Sequence, residues 1–81
     1  MKYRMFQHVV LARDLPEKRL KRGDLAVVVE YHPLAGGEDG YSLEVFNALG
    51  ETLTVVVVPE SALEQVRPDE VLQVRSLNLV S

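Results

Sequence analysis

Leu20-Lys21-Arg22-Gly23-Asp24-Leu25-Ala26-Val27-Val28-Val29-Glu30 is the stretch whose reading decides the fold. Two cations lead into a Gly-Asp turn, and the turn feeds a run of β-branched residues, the side chains that fit a pleated, half-buried surface best. Gly23 supplies either a positive φ or a tight approach that other residues resist. Leu25, Val27 and Val29 alternate with Ala26, Val28 and Glu30, which predicts a strand over 25–31 with both faces largely apolar. Such a strand belongs in a small sheet bent over itself.

Working outward toward the N-terminus, Phe6-Gln7-His8-Val9-Val10-Leu11 reads as a first strand. The apolar residues that follow, Leu15, Leu20 and Leu25, recur every five positions rather than every 3.6, and Pro16 and Gly23 interrupt the segment. A long ordered loop over 12–24 is therefore expected, pinned by Leu15 and Leu20 with its charges outward. Toward the C-terminus, His32 to Gly40 carries Pro33, Gly36, Gly37 and Gly40 and reads as a loop. Tyr41-Ser42-Leu43-Glu44-Val45-Phe46 alternates, placing Tyr41, Leu43 and Val45 inward and Ser42 and Glu44 toward water. Asn47-Ala48-Leu49-Gly50 is a tight turn into a fourth strand over 51–58, which Pro59 is expected to stop. Glu60 to Leu63 predicts a 3₁₀ turn, and 64–67 a short closing strand. Residues 71–80 form a last extended segment whose apolar phase slips at Arg75-Ser76, as a bulge or a contact with a second molecule requires.

Five to six short strands with almost no helix give an all-β fold. A long first loop, a three-strand meander and a 3₁₀ turn before the closing strand is the order of a small SH3-like barrel. The 81 residues hold a single domain, with 68–81 as a C-terminal extension. There is no cysteine, so disulfides and thiolate metal sites are excluded, and the residues fit a reducing, cytoplasmic setting. The longest apolar run is far too short for a membrane helix, and Met1 to Val10 lacks the apolar core of a signal peptide.

The formal net charge of −3 hides a strong asymmetry. Residues 1–22 hold seven of the nine cations (Lys2, Arg4, Arg13, Lys18, Arg19, Lys21 and Arg22) against Asp14 and Glu17, a net +5. Residues 23–81 hold Arg67 and Arg75 against ten acids, a net −8. Arg13, Lys18, Arg19, Lys21 and Arg22 are thus the candidate partner-binding residues, because clustered charge steers an oppositely charged partner to one face.

Other chemistry finds little support. Ser42, Ser61 and Ser76 lie in no glycine-flanked elbow, and His8 in a strand has no recognisable nucleophile beside it. His32 with Glu38 and Asp39 offers nitrogen and oxygen ligands for a divalent metal, but at a generic spacing. Gly36-Gly37-Glu38-Asp39-Gly40 has no lysine and its acids repel phosphate, so it is no phosphate loop. The reading is a non-enzymatic domain without a cofactor. Its partner is expected to be another protein or a second copy, docking on an open strand edge. RNA or DNA bound by the loop over 13–22 is the alternative, disfavoured by the acidity of the remaining chain.

Val9-Val10-Leu11, Asp14-Leu15-Pro16-Glu17, Leu20-Lys21-Arg22-Gly23-Asp24 and Val27-Val28-Val29-Glu30 together resemble a family of small bacterial proteins of unknown function, common in cyanobacteria. Tyr41 to Phe46, Gly50-Glu51-Thr52, and Val57-Val58-Pro59 ahead of Leu63 extend the similarity over roughly 6–75. The resemblance implies an SH3-like barrel and, for some members, action beside toxin–antitoxin genes, so an antitoxin-like or accessory subunit is expected here; it implies no catalytic residue. The Gly-Asp entry into a valine-rich strand also resembles the KOW element of ribosomal and transcription proteins, but Glu30-Tyr31-His32 stands where that element carries basic residues.

Overall fold

The computed structural model describes residues 1–77. Five strands form one antiparallel sheet: β1 (His8–Leu11), β2 (Leu25–His32), β3 (Gly40–Phe46), β4 (Thr52–Pro59) and β5 (Leu63–Gln65). Two 3₁₀ turns, Pro16–Lys18 and Glu60–Ala62, are the only helical elements among the described residues. The strand order is β4-β3-β2-β1-β5. The chain is all-β, and this order is compatible with an SH3-like barrel. The sheet curls but is not closed by hydrogen bonds, because β4 and β5 are both edges.

Alternation selects the core. Val9 and Leu11 of β1, Ala26 and Val28 of β2, and Tyr41, Leu43 and Val45 of β3 turn inward onto Val58, Ala62 and Leu63. Leu15 and Leu20, five positions apart, fold back on one another in an isolated antiparallel bridge and are both buried. The long first loop is pinned by these two leucines, as their spacing predicts. Gly23 takes φ +90° and Gly50 φ +86°, the left-handed turns that both positions require.

Several local features depart from the sequence expectations. Phe6 and Gln7 do not begin β1. They complete a turn in which the Gln7 N–H bonds the Arg4 carbonyl at 3.2 Å, leaving Phe6 71% exposed at φ +64°. The two apolar faces of β2 are reconciled by an irregularity between Val28 and Glu30. It moves the inward phase from Ala26 and Val28 to Tyr31, which packs on the core. Ser42 does not face water. It is buried at 7% exposure, with its Oγ 2.7 Å from His32 Nε2, because β2 continues to His32 and lays the imidazole over it. β4 ends at Pro59, as expected, with the proline itself as the last strand residue, opposite Gly40. β5 starts at Leu63 and ends at Gln65, earlier than the expected 64–67.

Residues 71–77 carry no strand, and 78–81 of the expected last segment lie outside the described residues. Val71, Leu72 and Val74 are exposed, whereas Leu77 packs against the core. Among the described residues no helix is long and apolar enough to cross a membrane.

Candidate interaction surfaces

The basic loop between β1 and β2 is a fixed scaffold. Leu15 and Leu20 exchange backbone bonds of 2.9 and 3.1 Å, and the Gly23 N–H reaches the Leu11 carbonyl at 2.8 Å. The Arg22 N–H donates to Asp14 Oδ1 at 2.9 Å, and the Lys21 N–H donates to Asp24 Oδ2 at 2.7 Å. Four of the five predicted partner-binding side chains, those of Arg13, Lys18, Lys21 and Arg22, make no ion pair among the described residues. Arg13, Lys21 and Arg22 are exposed, and Lys18 and Arg19 are half-buried. The structure brings these five onto one loop. Lys2 and Arg4, also counted in the basic quarter, instead line a shallow groove of about 680 Å³ with Arg67, Glu64 and Gln65 beside β5.

Sequence reasoning missed the contact that completes the loop. Arg75 returns from the tail and grips Asp24, with Nε 2.8 Å from Oδ1 and Nη2 on Oδ2. Nη2 also reaches the Arg19 carbonyl at 3.4 Å. Partial burial pushes the Asp24 carboxyl up, but the Arg75 hydrogen bond, the Lys21 N–H and both positive charges outweigh it. Together they hold the group below the ordinary 3.8. The single local sign of this latch was the phase slip at Arg75-Ser76, which gives no address for a partner 51 positions away.

A tyrosine cluster anchors the opposite end of the sheet. The Tyr3 and Tyr31 rings lie 5.5 and 5.4 Å from the Tyr41 ring. The Tyr41 hydroxyl donates to Glu60 Oε2 at 2.6 Å and accepts the Lys2 N–H at 3.0 Å. The Tyr31 hydroxyl donates to Asp39 Oδ2 at 2.6 Å; that bond, then desolvation and nearby negative charge, pushes its pKa up to about 12. These contacts tie the N-terminal residues, the 33–39 loop and the second 3₁₀ turn together, so the cluster reads as structural.

The candidate metal ligands go to separate partners. Asp39 accepts from Tyr31 and from the Leu34 N–H, Glu38 accepts the Ser61 N–H at 2.7 Å, and His32 sits on Ser42. Hence His32, Glu38 and Asp39 form no metal-binding group. Glu30 approaches the same His32 Nε2 at 3.8 Å that contacts Ser42. A nucleophile relay needs the acid on one ring nitrogen and the serine on the other, so this trio cannot act as one.

The exposed edge of β4 is the other notable surface. From Thr52 to Val58 the strand carries no charge, and Val55 and Val57 are 56% and 54% exposed. β3 covers one side of β4, and no other strand is paired with it among the described residues.

Compared with known proteins, residues 5–65 match the family described as Domain of unknown function (DUF4926). The chain belongs to this family. The DUF4926 match spans all five strands, both 3₁₀ turns and the basic loop, and leaves out the tail that carries Arg75. No curated protein and no solved structure matches the chain.

Proposed function

We propose that this DUF4926 domain is a protein-interaction module that acts without catalysis, and that its docking element is the open edge of β4. One observation carries the reading: an uncharged strand of β-branched residues stands at a sheet edge with two valines more than half exposed. Such edges template pairing with a further strand, and proteins that do not use them blunt them with charges, prolines or cover. Among the described residues the only such devices sit at the two ends, an irregularity near Phe46 and Pro59. The basic loop is a second, separate element of the module. Arg13, Lys18, Lys21 and Arg22 on a rigid frame favour a partner with an acidic surface and accelerate its approach more than they tighten the complex. An accessory or antitoxin-like subunit is the role such a module fits, and the cytoplasm the setting.

The test is a comparison of variants on the immobilised full chain. Proteins recovered with the wild type should be lost with Val55→Lys/Val57→Lys and weakened, in a salt-dependent way, with Lys21→Glu/Arg22→Glu. Equal recovery on the wild type and the valine variant removes the edge reading. The alternative, nucleic acid on the loop over 13–22, is checked by titrating labelled single- and double-stranded probes at low salt. Binding that falls steeply with salt and is abolished by Lys21→Glu/Arg22→Glu would replace protein docking as the reading.

A further inference from the structure

We infer that the strand occupying the β4 edge is β4 of a second copy, paired antiparallel about a two-fold axis at Val56. This rests on the edge reading above and adds the partner and the register. The argument starts from the ladder inside one molecule. Glu60 N–H bonds the Asp39 carbonyl at 2.9 Å, and Gly40 stands opposite Pro59, Tyr41 opposite Val58, and so on to Val45 opposite Thr54. Hydrogen-bonded and non-hydrogen-bonded pairs alternate in an antiparallel ladder. Thr54, Val56 and Val58 therefore spend their backbone groups on β3. Val55 and Val57 turn theirs to the open side, where Pro59 has a carbonyl but no N–H to offer.

The regular part of this edge is bounded. The register shifts between Val45 and Phe46, so Leu53 has no partner on β3, and Pro59 ends the donors at the other limit. What remains is Thr54 to Val58, whose centre is Val56. A two-fold axis there sets Val55 opposite the partner's Val57, each exchanging N–H and C=O, with Val56 opposite the partner's Val56 in the closer, unbonded pair. Moving the axis to Val55 sets Val57 against the partner's Leu53, in the irregular part of the strand. Moving it to Val57 sets Val55 against the partner's Pro59, which cannot donate. The charges flanking the strand agree with the central choice: Glu60 falls opposite the partner's Thr52, and Glu51 opposite the partner's Ser61, so no like charges face each other. On the outer face the exposed Val55 and Val57 meet the same pair from the other copy. The contact is isologous and closes on itself, so it caps the edge of both copies without propagating into fibres. A ladder this short makes a reversible dimer.

The test uses the absence of cysteine from the chain. Under mild oxidation the full chain carrying Val56→Cys should form a covalent dimer, because facing residues of a non-bonded pair lie about 4.5 Å apart between Cα atoms, within disulfide reach. Val55→Cys should form little, its counterpart being displaced along the strand. By sedimentation equilibrium the wild type should dimerise with concentration. Val57→Pro, which removes an N–H that the single molecule leaves at the open edge, should weaken the dimer about tenfold or more and keep the wild-type circular dichroism. Val55→Lys/Val57→Lys serves the same end if the proline variant does not fold. A wild type that stays monomeric at high concentration, or cross-linking of Val55→Cys in preference to Val56→Cys, overturns the inference. If the wild type is monomeric yet the lysine variant loses a different bound protein, the edge reading survives and self-pairing does not.

Discussion

Phe6 sits at φ +64° with most of its ring in solvent, a conformation that costs a side-chain-bearing residue about 1 kcal/mol or more and that glycine adopts freely. Phe6→Gly should therefore raise the denaturant midpoint, by about 0.5–1 kcal/mol of stability, although it deletes a large apolar side chain. A lowered midpoint would mean that the ring buries more than its exposure indicates. Asp24 supplies a pH-dependent counterpart. Its folded pKa is lowered, so its contribution to stability is complete above the unfolded value near 3.8 and is lost as pH falls through the lower folded value. An acid titration of unfolding should show this loss in the wild type and not in Asp24→Asn. The same variant should free Arg75 at a cost of about 1 kcal/mol at neutral pH. Tyr31 reports in the alkaline range: its ultraviolet titration should centre at about 12 and return toward the ordinary 10.0 in Asp39→Asn.

At the scale of elements, the strands that alternate cleanly were readable and those that change phase were not. The inward set Tyr41, Leu43 and Val45, the Asn47–Gly50 turn and the leucine-pinned loop follow from local period and turn chemistry. The Val28/Glu30 irregularity did not, because Ala26, Val27, Val28 and Val29 are apolar on both faces and no local residue says where the phase moves. Ser42 was misplaced for a related reason: its burial depends on His32, which arrives only because β2 runs further than its valines. Of the candidate surfaces, the basic loop was legible from charge alone, whereas the freedom of the β4 edge required the strand order. Gly23 tests the loop as an element. A Cβ there meets nothing within 4 Å, yet φ is +90°. Gly23→Ala should thus cost about 1 kcal/mol through backbone conformation alone, read as a lower melting midpoint with an otherwise unchanged spectrum.

The whole molecule has a family-matched body and an added tail. A chain ending at Arg67 keeps all five strands found among the described residues, so it should unfold cooperatively. It should nevertheless melt below the full chain, having lost the Arg75 grip on Asp24 and the Leu77 contact with the core. Non-cooperative unfolding of that shorter chain would show that the tail belongs to the body. The strand order also carries a consequence for how the molecule assembles. β2, β3 and β4 join through neighbours along the chain, but β1 joins β5 only by bringing Val9 to Gln65. Closing that long loop is entropically expensive until the meander exists to receive it. The meander should accordingly form the nucleus: Val45→Ala should slow refolding in stopped-flow measurements, whereas Leu63→Ala should mainly hasten unfolding. During synthesis, then, β1 is made first and is among the last strands to find its full set of neighbours.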